Sequence, residues 1–202
     1  MNTDNIFSII ALHGLGGDAF ETWTDKQGHL WLRDSLPGHV PDARIMTFGY
    51  DSATWSGSKS TILEFAIDLL ERIRIVRQTP QEKSRSIIFI CHSLGGLVCK
   101  KALVVAHEQP QYTSLLEKVQ GIVFMGTPHR GSKLAGLAKP LSNIINLALM
   151  RKKIRSDLLG NLEISSNTIT EITMSAVHRL APLEIVSFYE QKILDPLGCR
   201  VR

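Results

Sequence analysis

Short unbroken apolar runs alternate along this chain with longer stretches whose apolar residues recur every three or four positions. The runs fall at 6–12, 43–50, 87–90, 119–125 and 183–189, are of strand length, and are rich in β-branched and aromatic residues. A strand that is apolar on both sides is buried on both faces, as in a parallel sheet. Between the runs, Ile62, Ala66, Leu69, Ile73 and Val76 mark one face of a long helix over about 61–78, with Thr61 and Glu64 reading as its capping box. Pro80 and a charged turn follow it. A second helix is expected over 97–108, stopped by Pro110. Residues 18–40, with Trp23 and Trp31, read as an irregular loop and a short amphipathic helix ending at Pro37-Gly38. From 133 to 180 the pattern turns helical and irregular, with Leu134, Leu137, Leu141 and Ile144 among its apolar positions. Alternating strands and helices predict an α/β fold, a mainly parallel sheet covered on both faces. A single domain is expected over 1–202, with its core at 5–132 and 181–195 and a helical cap insert at 133–180.

The third run carries the chemistry. Ser86-Ile87-Ile88-Phe89-Ile90-Cys91-His92-Ser93-Leu94-Gly95-Gly96-Leu97-Val98 reads as strand, sharp turn and helix. A serine on such a corner is held clear of the sheet, and the amide of Leu94 points into the same space from a helix N-terminus. The usual form of this turn is small at both outer positions, because it brings backbones close together. Here those positions are Cys91 and Gly95. After the first run comes His13-Gly14-Leu15-Gly16-Gly17, after the fourth Thr127-Pro128-His129-Arg130-Gly131, and after the fifth Glu190. In a doubly wound sheet these loops converge on one rim, outside the carboxyl ends of the strands.

Acyl transfer to water needs an activated hydroxyl, a base, a group that orients the base, and donors for the oxyanion. Ser93 is the candidate nucleophile and Glu190 the candidate acid, with Asp195 a nearby substitute. The amides of Leu94 and of Leu15 or Gly14 are the candidate oxyanion donors, each worth about 3 kcal/mol in the transition state. His13, His92 and His129 line the site. His13 and His92 suit backbone-orienting bonds better than proton transfer, and His129 suits a structural role better than that of a base. His178 precedes the fifth strand, on the wrong side of the sheet. No histidine follows Glu190. The expectation is therefore that the chain stops before a last strand and its histidine, and that turnover is weak or absent.

Composition narrows the partners. The 202 residues suit one sizeable core, and a net charge of +4 is spread along the chain apart from Arg151-Lys152-Lys153-Ile154-Arg155. That cluster reads as a solvated helix face; nucleic acid is not expected as a partner, and peripheral membrane contact is left open. Cys91, Cys99 and Cys199 make neither a disulfide framework nor a metal spacing, so neither metal nor cofactor is expected. A reducing compartment follows, the cytoplasm, with association at a mitochondrial or endoplasmic reticulum membrane as the alternative. No leader segment and no membrane-spanning run are read in the sequence.

In the four blocks around Ile10 to Gly17, Phe89 to Val98, Gly126 to Ser132 and Ile185 to Glu190, the sequence resembles the serine-active-site, lipase/esterase-like branch of the α/β-hydrolases. It looks especially like the esterase-like N-terminal domains of fungal NACHT and ankyrin-repeat proteins. The resemblance implies an α/β-hydrolase fold, Ser93 as nucleophile, an acid at Glu190, and lipid or carboxylic-ester substrates. It also implies further domains in a longer parent protein. The competing reading is a catalytically silent hydrolase fold serving as a sensor or interaction module.

Overall fold

The structure is a computed structural model that describes residues 7–54, 59–129 and 162–188, with the side chains of 162–166 set aside. Every apolar run forms a strand: β1 Phe7–Leu12, β2 Ala43–Phe48, β3 Ser86–His92, β4 Val119–Met125 and β5 Glu184–Phe188. They make one sheet in the order β2-β1-β3-β4-β5, with every neighbouring pair parallel. The chain moves outward from β1 to β2, then crosses back to β3. Strand order therefore reverses between β1 and β3, the switch point at whose carboxyl edge sheets of this kind bind their ligands.

Side-chain parity divides the sheet. Ile10, Leu12, Phe89, Cys91, Ile122 and Phe124 join one core with helices α3 (Lys59–Val76), α5 (Leu94–Glu108) and α7 (Leu162–Leu180). Ile9, Ala11 and Ile90 point the other way, into a smaller cluster with Trp23, Leu30 and Leu32. The period of two that makes the runs strands thus gives each face its own apolar partner. The second cluster is supplied by a 3-10 turn at Glu21–Trp23 and by the short helices α1 (Trp31–Asp34) and α2 (Leu36–His39).

Several boundaries differ from the pattern, each for a local reason. α3 begins at Lys59, so Thr61 and Glu64 lie inside it and do not cap it. The capping box belongs to α4 (Pro80–Ser84): the Thr79 hydroxyl accepts from the Glu82 amide and the Glu82 carboxylate accepts from the Thr79 amide. Pro80 is then the first residue of a helix, where its missing N–H costs nothing. Pro37 and Gly38 likewise lie within α2. α5 starts directly after Ser93, three residues earlier than the periodicity suggests, because glycines carry no apolar signal. A further one-turn helix, α6 (Thr113–Leu116), precedes β4. β2 ends at Phe48, which frees Tyr50 to turn toward β1.

Of the expected cap, only α7 lies within the described residues. It packs on α5, with Ile169, Ile172 and Ala176 buried, so this part of 133–180 belongs to the core layer and not to a cap. Leu134 to Ile144, the basic cluster at 151–155, Glu190, Asp195 and Cys199 lie outside the described residues.

Candidate active site

Ser93 occupies the corner between β3 and α5 with φ +50° and ψ −117°. Among the described residues it is the one non-glycine residue with positive φ. That conformation costs about 1–3 kcal/mol and persists only where surrounding contacts over-determine it. Those contacts are visible. The Ser93 amide donates to the Met125 carbonyl at 2.9 Å, tying the turn to the end of β4. Gly95 lies against the end of β1: a Cβ there would stand 2.5 Å from the His13 carbonyl oxygen and 2.6 Å from that of Leu12. Gly96 lies against Thr127, just past β4. The adjacent glycines let α5 settle behind β3 while touching the exits of both flanking strands. The Ser93 side chain is 4% exposed, and its Oγ has no hydrogen-bond partner among the described residues.

The loop after β1 reaches the same corner. A Cβ on Gly14 would sit 2.8 Å from Ser93 Cβ and 2.7 Å from His92 Nδ1, so this backbone comes as near to the serine as a glycine can. His13 holds the loop in place. Its Nε2 lies 3.2 Å from the Tyr50 amide, which can only donate, so the proton sits on Nδ1 and is donated to the Gly14 carbonyl at 2.9 Å. The Gly17 amide donates to the same carbonyl at 3.0 Å. The Tyr50 hydroxyl donates to the His13 carbonyl at 2.8 Å, and the two rings stack 4.3 Å apart. Burial pushes His13 below the ordinary imidazole range, with the carbonyl bond to Gly14 partly opposing it. It is a neutral, fully committed ring, in keeping with an orienting role.

All seven histidines of the sequence lie in the described residues, and none hydrogen-bonds Ser93 Oγ. His92 is exposed on the turn, edge-on to Trp23 at 6.5 Å. His129 turns away from the rim, down the flank of α5: its ring stands edge-on to Phe124 at 4.7 Å, and Nδ1 lies 3.1 Å from Lys100 Nζ. Burial, and then the Lys100 charge, lower its pKa to about 4. His29, His39, His107 and His178 are exposed. A cavity of about 430 Å³ opens on the far side of the first loop, beside His13, Tyr50 and Phe65, and does not include Ser93.

Four residues make contacts that sequence reasoning does not reach. Tyr50 carries no local sign of its bond to His13, 37 residues away. Gly95 and Gly96 are legible as small residues, but not which strand each one touches. Lys100 had a signal: it sits in an apolar helix, seven residues past Ser93 and four past Gly96, on the face turned to the sheet.

A parallel sheet with helices on both faces and a serine on a left-handed strand-to-helix corner defines the α/β-hydrolase fold. Residues 48–179 match the family model described as PGAP1-like alpha/beta domain, and the chain belongs to that family. It is 28% identical over 171 residues to Protein SERAC1 of Mus musculus and 26% identical over 171 residues to Protein SERAC1 of Homo sapiens, in each case covering 74% of this chain and 26% of the relative. The chain thus spans about a quarter of the length of these curated relatives. Among solved structures, the mature form of the Bacillus licheniformis lipase BlEst2 superposes with a TM-score of 0.57 at 19% identity, covering 91% of this chain and 65% of the lipase. That likeness is one of fold. Among the described residues, no helix is long and apolar enough to cross a membrane.

Proposed function

We propose that this chain is a serine hydrolase domain that takes carboxylic or lipid esters, with Ser93 as the nucleophile of an acyl-enzyme. The reading rests on one observation: a strained, buried serine hydroxyl without a partner, at the reversal point of a parallel sheet, against the Gly14 backbone. Among the described residues nothing meets that hydroxyl, and a buried hydroxyl is costly to keep unless something is meant to meet it. In the reaction, Oγ bonds to the ester carbonyl carbon while its proton passes to a base. The alkoxide leaves with a proton, and water then releases the acid and restores the serine. The Leu94 amide, at the open end of α5, faces the developing oxyanion. Because the Gly14 carbonyl is drawn back by His13 and Gly17, the trans peptide turns the Leu15 amide the opposite way, as a second donor needs. Glu190, two residues past Phe188, is the acid of this reading.

No imidazole of the chain hydrogen-bonds Ser93 Oγ, so proton removal is slow in these 202 residues. Labelling by a fluorophosphonate should be measurable, absent in Ser93→Ala, and accelerated by added imidazole standing in for the base. Labelling that survives in Ser93→Ala would overturn the assignment. Gly14→Ala should label about tenfold more slowly while losing about 1 kcal/mol of stability, because the new methyl presses on Ser93 Cβ, which cannot swing aside as exposed His92 can. Equal labelling rates would remove the first loop from the site.

The second reading, a catalytically silent hydrolase-fold module of a larger protein, comparable to the N-terminal domain of an NLR-like receptor, draws on the same missing imidazole. A folded sample that resists the probe with and without imidazole would support it. Peripheral contact with an anionic membrane through residues 151–155, in the cytoplasm or at an organelle surface, belongs to either reading.

A further inference from the structure

Lys100 is fully buried, yet no carboxylate among the described residues meets it. Its Nζ donates instead to neutral acceptors: His129 Nδ1 at 3.1 Å, the Thr173 hydroxyl at 3.2 Å and, at the limit of reach, the Pro128 carbonyl at 3.5 Å. It also lies 5.5 Å from the centre of the Phe124 ring. Since an ammonium can only donate, His129 carries its proton on Nε2, which is itself buried and without a partner among the described residues. One buried cation thus joins α5, α7 and the segment leaving β4.

The spacing of these contacts is regular. Ser93, Gly96 and Lys100 fall three and four residues apart on one face of α5 and its cap. They meet Met125, then Thr127, then Pro128 and His129, in that order. The chain leaving β4 is laid along the nucleophile helix as a strap held at three levels, and Lys100 is its lowest fastening. A methionine would fill the same space without the cost of a desolvated charge. A costly buried cation two face-steps below a strained nucleophile points to a task beyond stability.

We propose that Lys100 is a positioning residue for Ser93: by pinning residues 127–129 along α5 it holds the β4 exit, and with it the Met125 carbonyl that receives the Ser93 amide, where the left-handed turn needs them. The proposal rests on the reading of Ser93 as a nucleophile, but the strap can be measured independently of it. The titratable groups facing Lys100 are His129 from the strap, Cys91 from β3 and Cys99 from α5.

The test compares wild type with Lys100→Met in the 202-residue chain. It follows the fluorophosphonate labelling rate between about pH 6 and about pH 10, and hydrogen exchange at the amides of residues 93 and 126, which donate to the Met125 and Phe188 carbonyls. Lys100→Met is expected to be at least as stable as wild type at neutral pH, yet to label about tenfold more slowly and to exchange faster at both amides. The wild-type rate should bend near pH 8, where the charge-assisted bonds of Lys100 weaken, and the variant rate should not. A folded variant with wild-type exchange and a wild-type rate profile would overturn the proposal. If the wild type itself resists the probe, the nucleophile reading fails, and exchange alone then decides the strap: faster in Lys100→Met supports it, unchanged refutes it. Should Lys100→Met not fold, Lys100→Gln, which keeps a neutral donor, is expected to lose the bend near pH 8; keeping it refutes the role of the charge.

Discussion

Gly95→Ala should destabilise the fold by about 3 kcal/mol or more. Propensity alone points the other way, since alanine in place of a helical glycine usually gains about 1 kcal/mol. The sign reverses because the new Cβ would stand 2.5 and 2.6 Å from two backbone carbonyl oxygens, those of His13 and Leu12. Backbone cannot swing aside as a side chain can. β1 is paired on both sides, with β2 and β3, and the His13 carbonyl is engaged by the Tyr50 hydroxyl. The helix must therefore lift, opening the apolar core between α5 and the sheet. A domain of this kind has about 5–15 kcal/mol in total, so the midpoint of urea denaturation should fall steeply. Gly38→Ala is the control: nothing lies within 4 Å of its added Cβ, and its midpoint should hold or rise slightly. An unchanged midpoint for Gly95→Ala would mean that α5 does not sit on the β1 exit as described.

Raising the pH across the interval from about 8 to 10.5 should stabilise the wild type relative to Lys100→Met by about 3 kcal/mol. Burial lowers the Lys100 pKa from 10.5 to about 8, so between those values the unfolded chain binds a proton that the folded chain does not. Stability then rises with pH; the deficit is complete below pH 8 and gone above 10.5. The difference between the two proteins is the informative quantity, because Cys91 acts the other way in both, opposed in the wild type by the facing Lys100 charge, and Tyr50 does so in wild type and variant alike. Burial raises both well above their ordinary 9.0 and 10.0, so each favours the unfolded state in alkali. In acid, His129 and His13 give a second rise of the same sign, His129 between about pH 4 and 6.5. Urea denaturation at a series of pH values measures both intervals. A flat difference between wild type and Lys100→Met above pH 8 would show that Lys100 is not buried as a cation.

The sheet and its nucleophile corner were legible because their causes are local. A strand buried on both faces must be a short apolar run; β1, β2, β4 and β5 fall within runs read that way, and β3 extends beyond its run to Ser86 and His92. A serine between a β-branched strand and a glycine-rich helix start can be recognised from the neighbouring residues, and so can a glycine loop such as Gly14 to Gly17. Boundaries were harder where a residue has two uses. Pro80 reads as a stop and is a start, and Thr61 reads as a cap and lies within α3. The helix now described at 162–180 has the periodicity of an amphipathic helix, but periodicity does not name the surface it covers.

From the order of its residues alone, this chain is committed to a parallel α/β sheet and to a serine at the crest of its third strand, since both follow from which neighbours are apolar and which are small. Folding in three dimensions decides the rest. It places Gly95 on β1 and Gly96 on Thr127, sets the His13 proton on Nδ1, turns His129 from the rim toward Lys100, and lays α7 on α5. Each of these depends on partners brought together across the chain, as Lys100 and Thr173 are across 73 residues. A pattern with a period of two or of three to four residues carries no record of such meetings.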